Sequence, residues 1–222
     1  ELEVMQELQN LLPAGVVPRV LYEDRENYLF AMEAIDKDHK VWKAELLDGI
    51  FDLSIASRLG KYLGAIHRLS FDNQSFQERW GDWIIFDQLR IDPFYRFIVK
   101  AHPEIKDWVN DLIAEMESNR ICLVLADFSP KNILISGNQV HLVDFETAHY
   151  GDPAFDLGFF LSHLMLKAVY FGERGIDCIQ LVECFWDQYL SEIAPLSESR
   201  NKEAEKMQQQ ELERRTIRHL AA

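Results

Sequence analysis

Apolar residues recur at three- and four-residue spacing through several long segments of this chain and bunch into short runs in others. ELEVMQELQNLLPAG puts Leu2, Met5, Leu8 and Leu12 on one helical face, and Pro13 and Gly15 end it. The next stretch, PRVLYEDRENYLFAMEAI, holds two β-rich runs, Arg19–Tyr22 and Tyr28–Met32, around the polar turn Glu23–Asn27, which predicts a hairpin. LSIASRLGKYLGAIHRLS spaces Ile55, Leu59, Leu63, Ile66 and Leu69 as one side of a helix. Its glycines, Gly60 and Gly64, lie four apart and permit close packing against another helix. Phe76 to Phe97 is rich in aromatics, with Trp80, Trp83, Phe86, Phe94 and Tyr95 among Asp82, Asp87 and Asp92. It reads either as a helical cap on the core or as part of a substrate pocket.

A further helix is predicted from Pro103 to Met116. Short strands follow at Cys122–Leu125, Ile133–Ile135 and Val140–Val143, the last two joined by the turn SGNQ. Phe155 to Tyr170 is apolar nearly all round, as a buried central helix must be. Ser162, His163 and Lys167 interrupt it, so a bilayer span is not expected there. Ile176 to Ile193 is amphipathic, and the charged tail from Ser197 reads as a solvated helix. No internal repeat is visible.

With 222 residues, 48% of them hydrophobic, the chain can build a sizeable core. Its net charge of −14 argues against a nucleic-acid partner, which needs a basic face. The same charge is compatible with a cationic small substrate, although acidic soluble proteins are common. Cys122, Cys178 and Cys184 form no CxxC pair, and their odd number suits a reducing compartment. With no signal peptide at the start, a cytoplasmic location is expected.

The candidate chemistry lies in LVLADFSPKNILISGNQVHLVDFETAHYGDPAFDLGFF. Asp127, Asn132 and Asp144 each sit at the edge of an apolar run. Phosphoryl transfer needs a carboxylate near the attacking hydroxyl and oxygen ligands for Mg2+ on the nucleotide phosphates. Kinases place these as an Asp, an Asn five residues on, and the Asp of a second loop. A rigid hairpin between Asn132 and Asp144 fixes the distance between the two metal ligands. Asn132 suits Mg2+ because its amide oxygen adds coordination without another negative charge. Pro130 stiffens the loop. Ser129 and Lys131 are candidates to face the transferred phosphate, with a solvent-facing Lys131 as the alternative.

ADFSPKNIL, LVDFETAHYGDPAFDLGFFLSHL and RLGKYLGAIHRLS together resemble the aminoglycoside phosphotransferase family, relatives of choline kinase and methylthioribose kinase, from Glu1 to about Tyr189. The resemblance implies an α+β, protein-kinase-like fold with part of the nucleotide lobe at residues 1–35, a mainly helical catalytic and substrate lobe at 36–196, and a charged helix at 197–222. It implies ATP and Mg2+, and transfer of the γ-phosphoryl group to a hydroxyl of a small acceptor. By resemblance Asp127 is the catalytic base, and Asn132 and Asp144 are the Mg2+ ligands. Met32, Glu33, Ala34 and Ile35 are the hinge that meets adenine, and Asp156 braces the catalytic loop. Glu1, or else Glu3, is the helix carboxylate that pairs the nucleotide-binding lysine, and His67 is structural.

This chain departs from the family pattern in three places. Leu125-Ala126 stands where the family has His-Gly, and Glu146 stands where protein kinases have the Gly of D-F-G. No Gly-rich loop or strand lysine precedes the first helix. The resemblance implies that Glu146 is tolerated, while the third departure leaves two accounts of the chain open, a fragment of a longer kinase or a natural minimal or degenerate protein. The first and third also leave two functions open, a small-molecule kinase or a pseudokinase-like binding module. A paired-carboxylate metal hydrolase is disfavoured, because no His cluster is present to hold two metals.

Overall fold

The computed structural model describes residues 1–194 and 202–222. Helix α1 (Leu2–Leu11) buries Val4, Met5 and Leu8 and stops at the extended Leu12, ahead of Pro13. Strands β1 (Val20–Asp24) and β2 (Leu29–Met32) form the expected antiparallel hairpin. Its two faces are largely open, and Leu21, Tyr22, Leu29 and Met32 are exposed. After β3 (Lys40–Val41) come α2 (Trp42–Leu47) and α3 (Leu53–Ser70).

Helix α3 carries the expected apolar side, except that Leu69 at its end is exposed. The side chain of Asp52 accepts a hydrogen bond from Ser54 N and caps the first turn. Its glycines meet α9 (Gly175–Ile193): a Cβ on Gly60 would lie 2.3 Å from the Phe185 carbonyl oxygen, and one on Gly64 2.7 Å from Glu192 Cβ. The four-residue spacing therefore creates a groove that only glycine leaves open.

The aromatic segment folds as α4 (Gln74–Trp80), α5 (Ile84–Phe86), a ten-residue π-helical stretch Asp87–Arg96 containing Pro93, and α6 (Phe97–Ala101). Phe76, Phe86 and Tyr95 are buried, so this segment caps the core, while Phe94 and Phe97 are exposed. Asp87 is engaged by Arg96 through two contacts of 2.7 Å. Helix α7 (Lys106–Ser118) leads into β4 (Cys122–Val124).

Strands β5 (Ile133–Ser136) and β6 (Gln139–Leu142) form the hairpin that carries the site, turning at Gly137 with φ +56°. Two strands go beyond the sequence expectation. β3 pairs with β5, and β7 (His149–Gly151) pairs with β4. Each is only two or three residues long, too short to leave an alternating pattern.

Helix α8 (Pro153–Phe171) runs through the core, capped by Asp152 and buried at Leu157, Phe160 and Leu164, while Leu166, Val169 and Tyr170 near its end are exposed. By length and composition alone the apolar stretch Pro153–Ile193 is long enough to cross a membrane, contrary to the sequence expectation, but half of its most apolar window is buried inside the fold.

Helix α10 (Lys202–Ala221) corrects the expectation of a solvated tail. It buries Leu212, Arg215, Thr216 and His219 against α8, where a Cβ on Gly158 would come within 2.4 Å of His219 Cβ. Arg215 Nη2 lies 3.3 Å from Asp152 Oδ1, and Arg218 Nη1 2.6 Å from Glu115 Oε2. Charged residues thus dock this helix through carboxylates on its neighbours, which composition alone does not reveal. Ser197 to Asn201 of that expectation lie outside the described residues. The three cysteines are free, as expected.

Candidate active site

The segment after β4 is held from below by one carboxylate. Asp156, fully buried on α8, accepts hydrogen bonds from Leu125 N and Ala126 N, each at 2.7 Å. His67 Nε2 lies 3.3 Å from the same carboxylate, and His67 Nδ1 lies 2.9 Å from Tyr189 Oη. A buried carboxylate is tolerable only with such partners. Above it, Thr147 Oγ1 donates to Leu125 O at 3.0 Å.

Ala126 adopts φ +59°, the left-handed region. That is the conformation for which the glycine of the family pattern is suited, and an alanine there costs on the order of 1–2 kcal/mol. The turn persists because its flanking groups are tied: two amides to Asp156, and Ala126 O to Arg90 Nε at 2.7 Å.

Asp127 follows, with a side chain that is almost wholly buried. Three donors surround its Oδ2: Lys131 Nζ at 2.8 Å, Asn132 Nδ2 at 2.9 Å and Arg90 Nη2 at 3.0 Å. Asn132 Nδ2 also donates to Asp127 O at 3.1 Å, leaving its amide oxygen uncommitted to that pair. Pro130 opens the short turn Pro130–Asn132. Val143 N donates to Asn132 O at 3.1 Å, tying the first loop to the second. Asp144 sits in that second loop with φ +69°, a conformation that Asp tolerates better than most residues.

Asp127, Ser129, Asn132 and Asp144 line one small cavity. Ser129 Oγ is buried there without a hydrogen-bond partner among the described residues. The cavity walls themselves are apolar; the Asp127 carboxylate, the Asn132 amide and the Ser129 hydroxyl, with Asp144 on the second loop, are hard oxygen types of the kind that Mg2+ and phosphate groups prefer. Glu1 approaches from α1, its Oε1 3.5 Å from Phe145 N, while Glu3 is engaged by Arg25 at 2.8 Å. Of the two helix carboxylates, Glu1 is therefore the one near the second loop. Lys131 points at Asp127, not away into solvent, although half of its side chain stays exposed.

Met32, Glu33 and Ala34 are exposed and Ile35 is half-buried after β2. None of the four lines the cavity that Asp127 and Asp144 share. The Glu33 carboxylate turns to Arg19 at 3.1 Å, and Glu33 N donates to Arg19 O at 2.7 Å. Arg90 is the residue that sequence reasoning missed. It is one of three arginines in the aromatic segment, with no motif spacing to Asp127, and only the packing of the π-helical stretch brings it there.

A braced loop and a hairpin that present Asp, Asn and Asp to one cavity, beside a helical core, define a protein of the protein-kinase-like fold. The model of the phosphotransferase enzyme family (APH) matches residues 1–176, and the chain belongs to that family. Among its relatives, a 4-hydroxytryptamine kinase of Psilocybe cyanescens is 24% identical over 172 residues, covering 68% of this chain and 47% of that protein. A methylthioribose kinase of Escherichia coli O45:K1 is 22% identical over 202 residues, covering 79% of this chain and 48% of that protein. The chain spans about half the length of these curated relatives. A solved glucosamine kinase shares the fold at a TM-score of 0.56 and 17% identity, covering 88% of this chain and 58% of that one. Family members are kinases that phosphorylate small molecules.

Proposed function

We propose that this chain carries the catalytic lobe of an ATP-dependent kinase that phosphorylates a hydroxyl of a small molecule. The observation that supports it is that Asp127, Asn132 and Asp144 lie on two adjoining loops, tied by the hydrogen bond from Val143 N to Asn132 O, above the Asp156 brace. Asp127 accepts the proton of the acceptor hydroxyl at its carboxylate. Asn132 and Asp144 are the residues that would hold Mg2+, and the ion would supply charge neutralisation on the phosphate oxygens. Glu1 is the α1 carboxylate of the nucleotide lobe, and the backbone of Met32–Ile35 is the adenine hinge. Ser129 Oγ, buried and unpartnered among the described residues, is a free donor toward a phosphate oxygen. Catalysis here is mostly positioning, and Asp156 sets the position of Asp127.

A second reading, a pseudokinase-like binding module, is favoured by one observation. Asp127 is already engaged by Arg90, Lys131 and Asn132, and its loop lacks the His-Gly of the family pattern. Mg2+-dependent ATP binding and ADP release over a panel of sugars, amino alcohols and aminoglycosides separate the two. The measurement is made on this chain and on one extended with a Gly-rich loop and strand lysine. The extended chain is expected to turn over, and Asp127→Asn to lower turnover by about a hundredfold or more. Nucleotide binding without turnover on any acceptor supports the binding module, and neither binding nor turnover defeats both readings.

A further inference from the structure

A second and larger cavity, of about 510 Å3, lies at the start of β4, the end away from Asp127. Side chains from the ends of α3 and α9, from the beginnings of β4 and α8, and from α10 enclose it. It has no described residue in common with the small cavity of Asp127 and Asp144. Its volume is that of a small-molecule site. Cys122, Ile193 and Leu212 give it apolar walls. One side is the His67–Tyr189 pair, in which His67 Nδ1 lies 2.9 Å from Tyr189 Oη. The other ring nitrogen of His67 faces Asp156 at 3.3 Å, so His67 has no group left to offer the cavity.

Arg215 is the exception among the lining groups. It is buried on α10 and lines the cavity. Its Nη1 donates to Asn119 Oδ1 at 3.2 Å, and its Nη2 lies 3.3 Å from Asp152 Oδ1. Both contacts are long for a guanidinium with a carboxylate or an amide. Its Nε is buried with no hydrogen-bond partner among the described residues. A guanidinium carries five N–H donors, so Arg215 keeps donor capacity beyond these two contacts. Its charge, in contrast, is already balanced by Asp152. Glu211, the acidic group of the lining, is engaged by Arg214 at 2.7 Å. The cavity therefore has a hydrogen bond to give and no charge to neutralise.

We propose that this cavity is a second ligand site, which takes an uncharged amphipathic molecule, an apolar chain or ring ending in a carbonyl oxygen that accepts from Arg215. The apolar walls favour a body that leaves water on binding. The carbonyl oxygen supplies the acceptor that the arginine lacks. A carboxylate in its place puts a second anion beside Asp152 around a single guanidinium, which leaves a buried charge without compensation. An amine meets the positive Arg215 and no lining carboxylate that is free of a partner, and is rejected. The site is separate from the loop of Asp127, so it does not depend on the phosphotransferase reading.

The test is calorimetric titration of the full 222-residue chain at neutral pH with 4-phenylbutanamide, 4-phenylbutyrate and 4-phenylbutylamine, which differ only in the polar end. The amide is expected to bind about tenfold or more tightly than either charged analogue. Ile193→Trp places a larger ring at the half-buried edge of the cavity and is expected to abolish binding of the amide. Arg215→Met keeps an apolar stem and is expected to weaken the amide about fivefold. Circular dichroism of each variant establishes that it is folded. Should either variant unfold, amide-resolved NMR of the unsubstituted chain locates the ligand by itself, with the signals of Cys122 and Leu212 expected to shift on titration. No binding of the amide overturns the proposal, as does a charged analogue that binds equally well. Undiminished binding in a folded Ile193→Trp or Arg215→Met chain, or shifts that leave Cys122 and Leu212 unmoved, overturns it too.

Discussion

Arg90 grips the loop that carries Asp127 at two points, donating from Nε to Ala126 O at 2.7 Å and placing Nη2 3.0 Å from Asp127 Oδ2. Both residues are nearly excluded from solvent. Removing the arginine leaves a buried carbonyl without its donor and a buried carboxylate with one cation fewer, while Lys131 and Asn132 still hold Asp127. Arg90→Met is therefore expected to cost about 2 kcal/mol. Arg90→Lys is expected to recover only part of it, because one ammonium cannot serve both contacts with the same geometry. Urea denaturation at neutral pH checks this. A loss below about 0.5 kcal/mol in Arg90→Met contradicts it.

Asp156→Ala is expected to be more damaging, on the order of 3–5 kcal/mol, because it strands two buried amides and removes the partner of His67. The local signature is hydrogen exchange at Leu125 and Ala126. Both amides should be strongly protected in the parent chain and should exchange much faster in the variant, even at a denaturant concentration where the rest of the fold is intact. Unchanged protection at these two positions contradicts the bracing role.

Gly60→Ala tests the close passage of α3 and α9. An added methyl would meet the Phe185 carbonyl oxygen at 2.3 Å, a backbone atom that cannot swing aside. Alanine ordinarily favours a helix by up to about 1 kcal/mol over glycine. Here the clash is expected to win, with a net loss of about 2 kcal/mol or more in thermal or urea unfolding. Gly137→Ala is a control for glycine removal in open space, with the strain of its positive φ as its only expected cost.

Stability is expected to fall as the pH drops below about 6.5. Burial holds His149 neutral and pushes it down to about 4, and burial with Arg215 and Arg218 nearby pushes His219 down to about 3. Both are depressed in the folded state, so below pH 6.5 the unfolded chain binds the extra protons. Their contribution is complete above pH 6.5 and is lost as the pH falls toward 4. Asp152 opposes this in part, since burial raises it to about 6 and the folded form binds its proton first. His163, held down to about 4 by burial and then Lys167, adds a smaller share because it is partly exposed, and between pH 7 and pH 5 the net loss is expected to be roughly 3–4 kcal/mol. Urea midpoints across that range measure it, and His149→Gln should flatten the slope. A midpoint that rises on acidification contradicts the assignment.

Local chemistry made much of this protein legible from its residues alone. The helix of Ile55, Leu59, Leu63 and Ile66 is written in a 3.6-residue period, and its glycines announce the close crossing that the structure contains. Asp127, Asn132 and Asp144 are readable because two short loops on one hairpin fix their separation through backbone geometry, whatever the rest of the chain does. Asp156 is readable because a carboxylate in an apolar run demands buried donors. The contribution of Arg90 has no such local trace. It depends on how a π-helical stretch packs across the catalytic loop, a contact between residues 36 apart. The docking of α10 is equally invisible, since Arg215 and Arg218 pair with carboxylates contributed by other elements. Sequence specified the groups whose partners lie within a loop or a helical turn. Tertiary structure alone decided those whose partners arrive from elsewhere, because electrostatic and packing energies depend on distance in space and not on separation along the chain.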